Sequence, residues 1–429
     1  MAAAPSALPA AVRGRIFVYL GVLMVLLAFG APSGGMIDIP ISFLLKNKLH
    51  LTAHQVATFR LWTSLPLYLS FVFGFFRDVW NPLGMRDRGF MLLFGAASTV
   101  TYLVFAFTPV SYASLLAALL LLTSAVLFIV SAQSGLGCKL GQQHAMSGQM
   151  STIWNIFGAL PGIVALLAGG SLSGWLEQGD PDRAVRILFL GGAAIMAAVT
   201  GYALWKPAAV FGNVHVEVRD SRPLADLRRL VWHRPLYPAL LIWMLWNFAP
   251  GSSTPLQYFI QNALHGSDDR WGQWNALFAA AFIPTFLLYG VLCRTVPLRK
   301  LLWWGTIVAV PQMVPLLFIH SVQGALLAAV PMGLLGGVAT AAYLDLIIRS
   351  SPPGLQGTTL MLAASLNAIA VRFGDVLGTN LYDHSGSFAA CVVAITVVYA
   401  LILPTLLLVP NHLTATADGQ VPVAATGSA

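Results

Sequence analysis

The sequence predicts an all-α membrane protein with twelve transmembrane helices, arranged as two pseudo-symmetric halves of six. Of the 429 residues, 58% are hydrophobic and only 9% are charged, whereas a soluble protein carries roughly 25% charged residues. Apolar runs of about 20 residues, long enough to cross a hydrocarbon core roughly 30 Å thick, recur along the chain. The longest polar stretch, residues 206–235, lies near the middle and leaves six runs on each side.

The predicted helices are the apolar runs between polar breaks. They cover residues 16–45, 52–76, 90–108, 111–136, 146–173, 184–205, 236–263, 271–293, 301–319, 322–349, 355–382 and 386–410. The predicted units are a first bundle (1–205), a cytoplasmic linker (206–235), a second bundle (236–410) and a polar, disordered tail (411–429). Related halves joined by a linker are typical of alternating-access transporters.

The halves also resemble each other locally. "GFFRDV" begins at Gly74 after the second predicted helix, and "GVLCRTVPLRK" begins at Gly290 after the eighth. Both segments begin with glycine, carry basic residues and lead directly into the next predicted helix. The sequence therefore predicts an internal repeat.

Basic residues predict the orientation in the membrane. With a cytoplasmic N-terminus, sixteen of the 23 Lys and Arg residues lie in cytoplasmic segments, five lie outside, and Arg60 and Arg372 lie within predicted helices. Cytoplasmic loops carry an excess of Lys and Arg. We therefore expect a multi-pass protein of the cell membrane, in a bacterial inner membrane, with both termini in the cytoplasm. The net charge of +8 then reflects topology, and we expect no nucleic-acid partner.

A charged loop follows the second predicted helix. Its segment "GFFRDVWNPLGMRDRGF" resembles the Gly…Asp…Gly-Arg-Arg loop between helices 2 and 3 of the major facilitator superfamily. The resemblance implies a cytoplasmic gate in which these residues pair with each other and with neighbouring helix ends: Gly74, Asp78, Gly84, Arg86 and Arg88. The alternative is an anchoring loop without a gating role.

Three further segments resemble the folate–biopterin transporter family. They are "ISFLLKNKLHLTAHQVATFRLWTSLPLYLSFVFGFFRD" (41–78), "LYGVLCRTVPLRKLLWWGT" (288–306) and "PPGLQGTTLMLAASLNAIA" (352–370). The resemblance implies transport of a folate- or pterin-like solute. Two positions depart from it: Ser70-Phe71 replaces the family's Lys-Pro, and Asp87 interrupts its basic triplet. Other solutes, such as a peptide-linked sugar, a nucleotide-like compound or a drug, stay open.

Ionisable groups within predicted helices are candidates for function because each costs several kcal/mol unless it is paired or wetted. Asp38 and Arg60 are placed about 11–12 Å below the outer surface on adjacent antiparallel helices, so we expect them to be partners. The functional interpretation is that Arg60 meets an anionic solute and Asp38 binds a proton. The alternative is a purely structural ion pair.

The eleventh predicted helix carries a second polar group. Asn367, Arg372 and Asp375 lie on it, and Arg372 and Asp375, three residues apart, share one face. Arg372, near mid-depth, is the leading candidate for solute contact. Because desolvation disfavours a carboxylate, Asp38 and Asp375 are the candidates for proton coupling. Asp345 and Arg349, four apart, are expected to form a gating or snorkelling pair.

Aromatic and amide side chains complete the predicted site. Pro250 and Gly251 can break the seventh helix, and lipid tolerates freed backbone groups only where they line a cavity. Candidate contacts to a heterocycle are Trp246 and Asn247 in the seventh helix and Trp154 and Asn155 in the fifth. The alternative for the aromatic residues is packing or an interfacial belt.

The sequence does not favour an enzyme. It contains neither a GxxxxGK[ST] phosphate loop nor an HExxH pair, and we expect no cofactor and no metal. We therefore predict a secondary transporter, monomeric, whose partners are a small anionic or zwitterionic solute, the lipid bilayer and protons. The rival is a non-transporting membrane assembly factor.

Overall fold

The fold is described from a computed structural model, over residues 8–176, 180–212 and 223–420. Within these ranges all regular elements are helical. The α-helices are α1 (Ala10–Gly30), α2 (Gly35–Phe43), α3 (Ala53–Tyr68), α4 (Ser70–Val79), α5 (Asp87–Ala106), α6 (Tyr112–Gln143), α7 (Ser147–Leu176), α8 (Pro181–Leu204), α9 (Ala208–Phe211), α10 (Pro223–Val231), α11 (Leu236–Asn247), α12 (Thr254–Tyr258), α13 (Asp268–Leu292), α14 (Leu298–Ala309), α15 (Val322–Ser350), α16 (Gln356–Ser385), α17 (Phe388–Ala400), α18 (Ile402–Leu406) and α19 (Asn411–Thr414).

The prediction of an all-α, multi-pass membrane protein is confirmed. Within the described ranges, eleven helical segments are long and apolar enough to cross a membrane: Ala10–Lys46, His54–Val79, Asp87–Ala106, Tyr112–Gln143, Ser147–Gly169, Pro181–Leu204, Arg270–Leu292, Leu298–Phe318, Val322–Ser350, Gln356–Ser385 and Phe388–Leu406. Leu236–Asn247 is apolar but shorter.

Three predicted helices have short interruptions, at Leu69, at residues 310–313 and at Leu401. Two others have a gap that contains both proline and glycine. The predicted helix 16–45 ends at Gly30 and resumes at Gly35, and the predicted helix 236–263 ends at Asn247 and resumes at Thr254. Each of these two gaps contains a proline and at least one glycine. Proline has no backbone N–H to donate to the helix, and glycine has no side chain that restricts the backbone. The break expected at Pro250–Gly251 is therefore present, and the earlier break was not predicted.

Helices of the first and second halves of the chain meet at one end of the molecule. α4 packs against α16, and α7 packs against α13 and α15. Hydrogen bonds between the halves run from Ser70 Oγ to the Met361 carbonyl at 2.8 Å and from Ser151 Oγ to the Ala341 carbonyl at 2.6 Å. We call the end that carries the α4–α5 and α15–α16 connections the joined end.

The tail departs from the sequence-based expectation. Residues 411–420, predicted to be disordered, fold back onto the joined end: α19 lies there, and Asp418 is 7% exposed. Backbone and side-chain contacts with distant helices order this segment. Residues 421–429 lie outside the described ranges. The linker contains α9 and α10, and its middle, residues 213–222, also lies outside the described ranges.

Candidate functional site

Glycines of neighbouring helices pack closely against the two helix breaks at residues 31–34 and 248–253. An ideal Cβ on Gly169 of α7 would lie 2.0 Å from the Gly35 carbonyl oxygen, at the end of the first break. An ideal Cβ on Gly378 of α16 would lie 2.2 Å from the Gly251 nitrogen, inside the second break. No side chain fits at either position. The same device therefore occurs once in each half of the chain.

Asp375 supports the second break. Its Oδ1 accepts a hydrogen bond from the Thr254 backbone nitrogen at 2.9 Å, and its Oδ2 accepts one from Thr254 Oγ1 at 3.0 Å. Thr254 is the first residue of α12, where helix donors lack intrahelical partners. Asp375 thus caps the resumed helix across the break and, among the described residues, does not pair with Arg372, three positions earlier on α16.

Arg372 is exposed and, among the described residues, makes no hydrogen bond or ion pair. It follows Ser365 by seven residues, about two helical turns, so the two side chains share a face of α16. Ser365 Oγ donates to the Tyr68 carbonyl at the end of α3. The Arg372 face of α16 is therefore the face turned toward α3.

Arg60 and Asp38 are linked indirectly. Arg60 Nη2 donates to Ser42 Oγ at 2.8 Å, and Ser42 Oγ donates to the Asp38 backbone carbonyl at 2.7 Å. Among the described residues the expected direct ion pair is not formed, because the Arg60 guanidinium donates instead to Ser42, one turn after Asp38 on α2. Ser42 was not predicted, since a serine in an apolar helix has no distinctive pattern.

Arg60 and Arg372 lie at the same level. Arg60 precedes Tyr68 by eight residues, about 12 Å along α3, and Arg372 follows Ser365 by seven residues, about 11 Å along α16. Tyr68 and Ser365 are hydrogen-bonded to each other, and α3 and α16 run away from this contact toward the end opposite the joined end. Two cationic side chains thus reach one level on adjoining helices.

The predicted aromatic and amide contacts divide into two groups. Trp246 stacks on Tyr399 at a ring distance of 4.6 Å, and Asn247 donates to the Trp243 carbonyl of its own helix, so both have partners within the second half. Trp154 is 8% exposed, and its indole nitrogen has no protein partner among the described residues. That donor is buried, so a solute or a water molecule would have to enter the interior to reach it.

The remaining amides lie on α7 and α16. Asn155 donates to the Ser151 carbonyl at 2.9 Å within α7. Asn367 is half-buried, one turn after Ala363, whose carbonyl accepts a hydrogen bond from Trp243 of α11. Neither amide is brought into contact with Arg60 or Arg372.

At the joined end, Asp78 connects the halves. Its carboxylate accepts hydrogen bonds from the backbone nitrogens of Gly357 at 3.2 Å and Thr358 at 2.6 Å, at the start of α16. Arg77 pairs with Asp78 at 2.6 Å and with Asp87 at 2.6 Å. The sequence prediction named Asp78 and omitted Arg77, although the adjacent Arg-Asp pair was the available signal.

The other predicted gate residues have different positions. Gly74 is a close-approach site, because a Cβ there would lie 2.5 Å from the Gly357 carbonyl oxygen. Gly84 is exposed with a φ of +66° and forms part of the turn. Arg86 has a φ of +50° at the start of α5, and its backbone nitrogen donates to Asn81 Oδ1. Arg88 donates to the Ala203 and Leu204 carbonyls at the end of α8, within the first half, so it does not pair with Asp78.

Asp345 and Arg349 form the expected pair on α15. Arg349 Nε lies 2.9 Å from Asp345 Oδ1 and 2.9 Å from Ser147 Oγ, at the start of α7. Tyr289 of α13 donates to Asp345 Oδ2 at 2.8 Å. Arg349 also pairs with Asp418 of the tail at 3.1 Å. This cluster joins the halves on the α7 side, as Asp78 does on the α4 side.

Broken apolar helices around intramembrane charges, with hydrogen bonds joining the halves at one end, define a multi-pass membrane protein of the transporter class. Residues 143–374 match the Major Facilitator Superfamily. The chain belongs to this superfamily of membrane transporters.

The relatives agree with this assignment. A folate-biopterin transporter from Synechocystis sp. is 23% identical over 373 residues, covering 82% of this chain and 72% of that protein. The major facilitator transporter FucP, in the outward conformation, superimposes with a TM-score of 0.66 at 15% identity, covering 91% of this chain and 97% of FucP. The human organic anion transporter MFSD10 has a TM-score of 0.59 at 18% identity, covering 93% of this chain and all of MFSD10.

Proposed function

We propose that this protein is a secondary active transporter that moves a small organic anion by alternating access between two six-helix bundles. The proposal includes residues 236–263 as the twelfth span, built from α11, α12 and the turn that follows. The observation that carries it is the placement of Arg60 and Arg372 at one level on adjoining helices. An unpaired charge at this depth is costly, and an anionic solute between the arginines removes that cost.

The proposed conformation is outward-facing. The joined end carries most of the basic loops, and the usual excess of Lys and Arg on cytoplasmic loops supports a cytoplasmic position for that end and for both termini. In the other state of the cycle the contacts of Asp78 and Arg349 between the halves would break. The likeness to FucP, which was solved in the outward conformation, supports this assignment. A bacterial inner membrane agrees with the Synechocystis relative.

The proposed solute is a pterin- or folate-like organic anion. One relative is a folate-biopterin transporter and one structural neighbour is an organic anion transporter. The indole N–H of Trp154 is buried and has no protein partner among the described residues, so it is a donor for a heterocycle that reaches it. Asn367 and Asn155 are the nearest candidates for additional polar contacts.

The proposed coupling ion is the proton, with Asp38 as its site. Among the described residues the Asp38 carboxylate accepts no hydrogen bond, whereas both oxygens of Asp375 are engaged by Thr254. A carboxylate without donors gains most from protonation in a low-dielectric site. Asp375 is then a structural cap, and Arg60 senses the charge on Asp38 through space, since Ser42 contacts only the Asp38 backbone carbonyl.

Thermal stabilisation of the detergent-purified protein tests the solute site. Pterins, folates, nucleotides, peptides and sugars are compared on the wild type, Arg60→Ala, Arg372→Ala and the control Arg183→Ala, an exposed arginine on α8. We expect one anionic class to stabilise the wild type and the control. Loss of a charge-assisted contact of about 1.5–3 kcal/mol should weaken binding about 10- to 150-fold in either arginine variant.

Two outcomes would contradict the proposal. Equal stabilisation of the wild type and both arginine variants would remove Arg60 and Arg372 from the site. A second outcome would be that no compound stabilises the wild type, while Arg60→Ala and Arg372→Ala still support normal cell growth and assembly of other membrane complexes. A non-transporting assembly factor would then be the better description.

A further inference from the structure

The two junctions at the joined end are built alike, but from different parts of the chain. On one side, Asp78 accepts hydrogen bonds from two backbone nitrogens at the start of α16 and pairs with Arg77. On the other side, Asp418 accepts hydrogen bonds from the backbone nitrogens of Gly148 at 3.2 Å and Gln149 at 2.9 Å, at the start of α7. Asp418 pairs with an arginine too, Arg349 of α15.

The two aligned loop segments differ at the position that corresponds to Asp78. When "GFFRDV" and "GVLCRT" are aligned on Gly74 and Gly290, Asp78 falls opposite Arg294. The second loop therefore lacks the carboxylate that the first loop supplies to a helix start. Asp418 reaches that place from 124 residues further along the chain, and its backbone nitrogen donates to the carbonyl of Cys293, the residue before Arg294, at 2.8 Å.

The tail touches both halves of the chain. Gly419 donates from its backbone nitrogen to the Ala145 carbonyl at 2.7 Å, in the α6–α7 turn. Arg349 Nη1 donates to the Thr416 carbonyl at 2.8 Å. Asp418 and Ala417 are buried, at 7% and 2% exposure. The segment therefore fills the junction among α7, α13 and α15.

We propose that residues 411–420 are a built-in latch, which holds α7 of the first half against α13 and α15 of the second half. Asp418 supplies the carboxylate missing from the second-half loop. The inference rests on the proposed alternation between two states: the latch must leave its place for the joined end to open. Any process that captures or releases the tail would then set the rate of opening.

The charged groups around Asp418 come from three helices and their ends. From α15, Arg349 and Asp345 face Asp418. The end of α13 contributes Tyr289, Cys293 and Arg294. The start of α7 contributes backbone N–H groups and Ser147. Burial and the neighbouring Asp345 carboxylate raise the pKa of Asp418 to about 6, against the opposing effect of Arg349. Protonation of Asp418 is therefore more favourable in the docked latch than in a solvent-exposed tail.

Three native cysteines report the state of the latch. Cys293 lies under the tail, and Cys138 lies between α6 and α15, where its Sγ approaches the Ile348 carbonyl. Cys391 lies within the second half, where its Sγ approaches the Gly378 carbonyl. All three are buried in the latched structure. Alkylation of each is quantified by mass spectrometry after a timed exposure to N-ethylmaleimide.

The test compares wild type, a truncation after Pro410, Asp418→Ala and the control Asp383→Ala, an exposed aspartate at the other end of α16. Loss of the charge-assisted hydrogen bonds should raise Cys293 alkylation at least about tenfold in the truncated protein and in Asp418→Ala. Cys138 should follow by a smaller factor if the halves separate, and Cys391 and the control protein should not change.

Unchanged Cys293 alkylation in both tail variants would overturn the proposal. If the truncated protein exposed Cys391 as well, it would have unfolded, and Asp418→Ala then decides. Because alkylation needs no solute, a failed search for the solute leaves this result intact. Conversely, normal solute stabilisation with unchanged Cys293 alkylation would reject the latch alone.

Discussion

Replacing Asp375 tests whether its carboxylate has a structural role or carries a proton. Its two oxygens accept hydrogen bonds from the backbone nitrogen and Oγ1 of Thr254 at 2.9 and 3.0 Å. Asp375→Ala removes both acceptors. A hydrogen bond to a charged group contributes about 1.5–3 kcal/mol, and loss of a helix N-cap costs typically about 1 kcal/mol. Since both bonds end on one residue, we expect a total loss of about 3 kcal/mol. Asp375→Asn keeps an acceptor oxygen and should cost about 1 kcal/mol.

The assay combines thermal unfolding in detergent with proton-driven accumulation in proteoliposomes. Asp375→Ala should unfold at a clearly lower temperature, Asp375→Asn should nearly match the wild type, and the exposed Asp383→Ala on the same helix should be neutral. Asp375→Asn should still accumulate solute, whereas Asp38→Asn should lose accumulation but keep solute binding. A stable Asp375→Asn protein that no longer responds to the proton gradient would refute the assignment of Asp375 as a cap.

Two further predictions follow from backbone contact and from titration. Gly378→Ala places a Cβ 2.2 Å from a backbone nitrogen of the second break and should lower the unfolding free energy by about 1–3 kcal/mol; Gly158→Ala, with open space around it, should raise it by about 0.5–1 kcal/mol, and equal effects in thermal unfolding would contradict this packing. The pKa of Asp418 is about 6 in the docked latch against a usual 3.8, so the docked state alone takes up a proton between these values and docking weakens as the pH rises through 6. Cys293 alkylation, referenced to Cys391, should be about fourfold slower at pH 5.5 than at pH 7.5, Asp418→Asn should abolish the difference, and faster alkylation in acid would show the opposite sign.

The sequence predicted what depends on local chemistry. The helical membrane fold follows from composition and run length, and the break at Pro250–Gly251 follows from a missing donor beside a glycine. "GAPSGG", residues 30–35, carried the same signal for the first break. The predicted helix 16–45 runs through this segment because its neighbours are mostly apolar on both sides.

Contacts between distant segments could not be predicted from the sequence. Arg88 has the same residue type and spacing as a gate residue, yet only the position of α8 decides that its partners are the Ala203 and Leu204 carbonyls. Depth in the membrane predicts Asp38 as the partner of Arg60, but the guanidinium donates to Ser42 Oγ at 2.8 Å. Asp418 lies in a small, polar tail typical of disorder, and its role depends on helix starts about 270 residues away.

The burial of the Asp78 junction has a consequence for the ionic environment. The side chains of Arg77 and Asp78 are 8% and 1% exposed, and the carboxylate is aimed at backbone donors instead of at mobile surface charges. Dissolved ions screen exposed pairs over about 8 Å at physiological ionic strength, but they reach buried pairs much less. A rise in salt concentration would therefore weaken this junction much less than it weakens an exposed ion pair.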